Sequence, residues 1–349
     1  MTLARISRLQ EQIKPGQHFL ITNLINVRYL TGFTGSNAAL LVSKDNAIAA
    51  TDSRYEIQVR DQVPDFESVI GRNFPELLIA KLPKSEVLIE GKHLSIDAFR
   101  HLESSYEHSF TSTSGVIEKL RAVKDDSEID LIKTACEITV RSFLDVIESV
   151  KSGQTEKEVR NALENRMRTN GAEDIAFASI VASGPNSAIP HHEPTERVIQ
   201  AGDLLKIDFG AKIDGYHADC TRTVVIGKPA DWQRDLHAAV TSSQQAGRET
   251  IRSGIKFTEV EDSVASSLVE RGYREFFTHG LGHGVGLEIH EDPFFGRVED
   301  AKIASNTVIT IEPGAYLANK GGVRVEDTIV VNSKGYQNLT DLTYELMEL

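Results

Sequence analysis

Cysteine is nearly missing from this chain: Cys136 and Cys220 are the two among 349 residues. Two thiols cannot build a disulfide framework at this length, and the scarcity suits a reducing compartment. Long apolar runs are missing as well. No stretch reaches the roughly 20 apolar residues a membrane helix needs. The opening sequence MTLARISRLQEQIKPGQ alternates apolar and polar residues at helical spacing, without the continuous apolar centre of a secretory signal. A cytoplasmic protein with no membrane partner is expected. Basic charge is in deficit, with 38 Lys+Arg against 51 Asp+Glu and a net charge of −13. Such a surface repels phosphate backbones and anionic lipids, so no nucleic-acid partner is expected either.

What remains is an ordinary globular composition, 40% hydrophobic and 26% charged. The length exceeds one ordinary core, so two domains are expected. The pattern predicts a helix over 2–13, a strand at 18–22 and a turn-rich stretch over 27–37. Strands at 38–42, 47–51, 67–71 and 86–90 follow, interleaved with helices at 54–62, 74–81 and 95–106. Strands alternating with helices predict a small α/β domain over residues 1–113. A second domain, 114–349, opens on a long amphipathic helix over 126–150.

The second domain carries an internal repeat. Lys151-Ser152-Gly153 is followed by Thr155 with Glu158 three residues on; Arg252-Ser253-Gly254 is followed by Thr258 with Glu261 three residues on. Each reads as a capping box opening a helix. A long helix precedes each copy (126–150 and 231–252), and strands follow each (204–210 and 219–226, then 307–312 and 322–331). A pseudo-twofold α+β domain with its site at the centre is the expectation.

Each half holds two acids in unusual settings. Ile207-Asp208-Phe209 places an acid inside an apolar strand, which is costly unless compensated. Asp214-Gly215 marks a turn, and Asp219 begins the returning strand, so the two aspartates can face each other across a hairpin. Cys220 then points to the opposite face and reads as packing. Glu312 ends a strand before Pro313-Gly314. Arg324 and Glu326 share one strand face by the period of two, while Asp327 points away and reads as structural. Between these two pairs of acids, His279, His283 and His290 alternate with glycines in a loop that is neither G-x-G-x-x-G nor H-E-x-x-H. A polar loop at 183–192 ends in His191-His192, one of which could reach a site. Four converging carboxylates repel each other and resist burial. Two divalent cations would relieve both problems, so Asp208, Asp219, His283, Glu312 and Glu326 predict a two-metal hydrolytic site.

This set, in this order, resembles the Xaa-Pro peptidases, the aminopeptidase P and prolidase branch of the metallopeptidases that share the pita-bread fold with methionine aminopeptidase and creatinase. Residues 29–37 and 51–55 look like that family's non-catalytic N-terminal domain. The resemblance implies a pita-bread catalytic domain behind a creatinase-like domain. It implies two divalent metals, Mn²⁺ first with Co²⁺ or Zn²⁺ as alternatives, and a homodimer. Asp208 and Asp219 would bind on one side, His283 and Glu312 on the other, with Asp219 and Glu326 bridging. His191, His279, His290 and Arg324 match further active-site positions, and Glu312 would move a proton. The substrates implied are peptides with proline second. An Xaa-Pro aminopeptidase is the reading that the stretch 31–37 favours. A prolidase cleaving dipeptides only is the alternative, and a metal-free binding relative is disfavoured by the intact donor set.

Overall fold

The computed structural model describes residues 2–297 and 300–349. The chain divides into two compact units, Met1–Arg121 and Ala122–Leu349. The division falls eight residues beyond the boundary at 113 read from the sequence, because the helix Val116–Arg121 stays with the first unit. There Arg121 is buried and donates to Asn26 at 2.9 Å.

The first unit is built on a six-stranded mixed sheet. Its central strand, Gln17–Ile21, lies antiparallel to Ala38–Ser43 and parallel to Glu86–Glu90. Leu20, Leu41, Val87 and Ile89 pack there with Phe74, Leu78 and Leu102 from the covering helices. One expectation fails. Residues 24–31, read in part as turn, form a helix, Leu24–Thr31. Asn23 accepts from the Ile25 N–H to open it, and Gly32, at φ 80°, closes it in the left-handed region that favours glycine. The helix is hidden in sequence because its buried positions, from Asn26 to Thr31, leave little polar face to mark a period.

In the second unit the repeat is visible in the backbone. Gly153 donates to Ile199 O at 2.9 Å, and Ile199 donates back to Gln154 O at 2.8 Å. Gly254 and Ile303 make the same pair with Ile255, at 2.8 and 2.9 Å. Both glycines have positive φ, 95° and 91°. Each copy then starts a helix, Glu156–Thr169 and Phe257–Glu270, packed on a long helix before it, Asp126–Ile147 and Asp231–Thr250. Thr155 closes a full capping box with Glu158. The second copy differs from expectation: the cap is Lys256, whose N–H donates to Glu259 at 2.9 Å, and Thr258 lies inside the helix.

Two sheets face the centre. One orders Cys220–Val225, Leu204–Phe209 and Ile180–Ser183; the other contains Val308–Ile311 and Asp327–Asn332 as neighbours. A bridge between Thr221 and Glu326 joins them. The predicted strand 322–331 is two strands, Gly321–Arg324 and Asp327–Asn332, interrupted where Glu326 leaves one ladder to meet Thr221. Apolar clusters back both sheets, with Phe143 stacked on Phe209 in one and Phe257 edge-on to Phe295 in the other. Among the described residues no helix is long and apolar enough to cross a membrane.

Candidate metal centre

The strands deliver the acids. Asp208 sits in Leu204–Phe209, a strand buried at every position, and registers opposite Thr221 of the returning strand. Asp219 immediately precedes that strand. Between them, Ala211–Ile213 turns at Asp214-Gly215, with φ of 44° and 76°, into Tyr216–His217. Glu312 follows the last residue of Val308–Ile311. His283 opens the short strand His283–Gly284. Its flanking glycines are required by crowding: a Cβ on Gly282 would lie 2.2 Å from Thr310 O, and one on Gly284 2.5 Å from Asp292 O.

These five residues converge. Asp208, Asp219 and Glu326 form one triad of donor atoms within 4.8 Å of one another; His283, Glu312 and Glu326 form a second. His290 joins Asp219 and His283 in a third. The His283 Nε2 lies 3.5 Å from Asp219 Oδ2 and 3.5 Å from Glu312 Oε1. Its Nδ1 is 3.1 Å from Gly284 O. A carbonyl can only accept, so the proton is on Nδ1 and the Nε2 lone pair faces the acids, the tautomer a metal ligand needs.

The electrostatics agree. Burial, reinforced by Glu326 and Asp208, pushes Asp219 well above the carboxylate range. Burial with Glu312 and Asp208 does the same to Glu326. Burial raises Glu312 to about 8, against the pull of Arg324. Burial, then His290, lowers His283 to about 3, so it is neutral and free to ligate. Asp208 Oδ1 is buried without a hydrogen-bond partner. Crowded acids, an orphaned oxygen and an unprotonated imidazole nitrogen fit divalent cations, and four carboxylates with one imidazole suit a hard, oxygen-preferring ion.

Arg324 partly balances the cluster. It is paired with Asp208 through Nη2, donates from Nε to Thr221 Oγ1 at 3.0 Å, and lies 4.0 Å from Glu312. Thr221 passes the contact on, donating to Glu326 Oε2 at 2.6 Å. Asp327, on the other side, is bonded to Arg222, Gln244 and Tyr344. Cys220 is buried, and burial pushes its thiol up, so it keeps its proton.

A cleft opens on the donors, lined also by His191, His290, Arg324 and the apolar Phe177, Ile180 and Ile289. The ring of His290 stands perpendicular to that of His283, centroids 4.2 Å apart. His279 is outside this lining. Its Nδ1–H donates to Gly280 O at 2.9 Å, so its Nε2 accepts from Tyr316 Oη at 2.8 Å. Tyr316 Oη in turn accepts from Arg324 Nη1 at 3.1 Å. Thr221, Tyr316 and the three apolar residues escaped the sequence reading. Thr221 was findable, since alternation puts it on the face of Asp219; Tyr316 and Phe177 carry no local signal.

Residues 130–333 match metallopeptidase family M24, and residues 5–123 match the creatinase/prolidase N-terminal domain. The Xaa-Pro dipeptidase of Pyrococcus furiosus is 35% identical, with 94% of each chain covered. A solved Xaa-Pro dipeptidase from Bacillus anthracis is 35% identical and superposes with a TM-score of 0.95 over 100% of both chains. An X-Pro aminopeptidase from Thermotoga maritima is 36% identical, with a TM-score of 0.90 over 98% of this chain and 100% of that one. The converging acids, the ligand-ready histidine and these matches have one reading: the chain belongs to metallopeptidase family M24, with a creatinase-type N-terminal domain before a pita-bread catalytic domain.

Proposed function

We propose that this metallopeptidase is an Xaa-Pro dipeptidase, hydrolysing the bond between a first residue and a C-terminal proline. The observation that carries the peptidase reading is the buried donor set with the His283 lone pair turned into it. The relatives named Xaa-Pro dipeptidases support the dipeptide reading. They outweigh the stretch 31–37, which favours an aminopeptidase. That second reading keeps one specific support, the similarity to the Thermotoga enzyme.

Asp208, Asp219, His283, Glu312 and Glu326 would hold two divalent cations, Mn²⁺ being the first choice. Bound there, the pair supplies Lewis acidity and a water of lowered pKa. Glu312, a carboxylate once it gives up its proton to ligate, is suited to take a proton from the attacking water and return it to the leaving proline nitrogen. That nitrogen carries no hydrogen in the substrate, so the proton must be supplied. His290 lines the cleft and is the better placed histidine to meet the tetrahedral oxyanion. Both nitrogens of His279 are committed to Gly280 and Tyr316, which suits a wall rather than a proton carrier. Phe177, Ile180 and Ile289 offer an apolar side for the first residue.

The test is hydrolysis of Ala-Pro and Ala-Pro-Ala with Mn²⁺, repeated after EDTA. Cleavage of Ala-Pro alone, lost on chelation, is expected. Cleavage of the tripeptide between Ala and Pro would move the assignment to the aminopeptidase. We also propose a homodimer, which light scattering after size exclusion would test.

A further inference from the structure

We infer that Glu156 and Lys206 are positioning residues, a two-sided clamp that presents His191 to the cleft; the inference rests on the match of His191 to an active-site position of the Xaa-Pro peptidases. The loop between Ser183 and Thr195 is short of its own structure, a five-residue 3₁₀ turn at Gly184–Ala188 and little else. It is gripped from both flanks. Glu156, at the first turn of its helix, is fully buried. Its Oε1 accepts from Ser183 N at 2.8 Å, Ser183 Oγ at 2.8 Å and Asn186 Nδ2 at 3.0 Å. Its Oε2 accepts from His192 Nε2 at 2.8 Å, Thr195 N at 3.0 Å and Thr195 Oγ1 at 2.8 Å. All of these donors come from one loop. The helix does not need them, because Thr155 already caps it.

The inner flank uses the opposite chemistry. Lys206, also buried, sends Nζ to Ile189 O at 2.5 Å and Pro190 O at 3.1 Å, over the ring of Tyr316. Arg324 Nη1 reaches the same Pro190 O at 3.1 Å. Lys206 Nζ has hydrogens enough for both carbonyls whether or not it carries charge. Ser187 adds a tie, accepting from Gly322 N at 2.9 Å. The residue before His191 is therefore held through its carbonyl from the inside, and the residue after it through its ring from the outside. His191 itself is exposed and lines the cleft with Asp208 and His290. Polar contacts from buried Glu156 and Lys206, with those of Arg324 and Gly322, hold this loop. A contact group misplaced by about 1 Å can cost about 10²-fold in rate, which is what such a clamp prevents.

The test is a double-mutant cycle. Lys206→Met and Glu156→Gln are each made alone and with His191→Ala, and kcat, KM, bound Mn²⁺ and melting temperature are measured. Each single variant is expected to keep its metal and to lose about 10-fold or more in kcat/KM. With His191 already removed, the same change is expected to cost under about 2-fold. Effects that multiply in both variants would mean ordinary structural residues and overturn the clamp. Should Glu156→Gln fail to fold, Lys206→Met decides. If the wild-type protein holds Mn²⁺ but cleaves no Xaa-Pro peptide, the proposed function falls by itself, and hydrogen exchange reads the clamp. Faster exchange confined to 184–192 in Lys206→Met supports it, and unchanged exchange there overturns it.

Discussion

Glu156 is buried and Glu312 largely so, and their surroundings push them in opposite directions. Burial alone would raise Glu156, but its hydrogen bonds to His192, Asn186, Ser183 and Thr195 outweigh that and hold it at about 2. A carboxyl depressed from 4.5 to about 2 stabilises the fold above its unfolded pKa, by roughly 3 kcal/mol, and that contribution is lost as pH falls from 4.5 towards 2. Glu312 has the opposite sign. With its folded pKa at about 8, the native state binds more protons than the unfolded one between 4.5 and 8. Metal-free protein should therefore lose stability as pH rises through that window, and added Mn²⁺ should reverse the trend. Melting curves at pH 5.5 and 8, with and without EDTA, check this trend and its reversal by metal; a metal-free protein that is more stable at pH 8 would contradict the reading of the cluster. The same carboxyls must give up protons to ligate. Calorimetric heats of Mn²⁺ binding should then depend on the ionisation enthalpy of the buffer. Two substitutions separate holding from turning over. Glu326→Ala should lose metal and activity together, because Glu326 belongs to two of the three donor triads. His290→Ala should retain metal and lose turnover by about 10²-fold. Full activity in the first, or unchanged turnover in the second, would remove that residue from its role.

The elements are built to bring these residues close, and glycine is where the closeness is paid in sequence. Gly282→Ala would set a methyl 2.2 Å from Thr310 O, next to the hydroxyl that accepts the His283 N–H at 3.2 Å. Backbone cannot yield as a side-chain tip does, so about 1–3 kcal/mol of destabilisation is expected, with weaker metal binding because His283 must move. Thermal melts and a metal titration check this; wild-type values in both would mean the two strands have room. Elements of this kind were legible to differing degrees. The strand over 204–210, the long helices at 126 and 231 and the Asp214-Gly215 turn are written in local pattern: apolar runs, helical period, residues that tolerate positive φ. The helix Leu24–Thr31 was not, since its period is masked by burial. The break between Arg324 and Asp327 was not, because it exists only to let Glu326 reach a strand about a hundred residues away in sequence. The donors were readable one at a time as acids in costly places, but Tyr316 and the Glu156 network depend on contacts between distant segments. The local sequence marks Thr155 as the cap of a helix, but nothing in it says that the next residue, Glu156, fastens a loop.

At the scale of the whole molecule, the donors divide by repeat: Asp208 and Asp219 belong to the first half of the catalytic unit, and His283, Glu312 and Glu326 to the second. Without cations, the joint between halves at this point is a set of mutually repelling acids, with Arg324 and Thr221 as relief. With cations it becomes an attraction between halves that also meet through the Thr221–Glu326 bridge, the Arg222–Asp327 pair and a shared apolar cluster. Metal binding should then act as a fastener of the second unit, and its effect follows from mass action: about 2.7 kcal/mol at a free metal concentration of 100 times Kd. The first unit, ending at Arg121, contributes no residue to the donor set and has a separate core. Scanning calorimetry with Mn²⁺ and then with EDTA should therefore show chelation lowering the transition of the catalytic unit by several degrees while leaving the other in place. A single transition that moves as a whole would instead mean that the two units unfold as one cooperative body, and that the cations stabilise residues far outside the half-and-half joint they occupy.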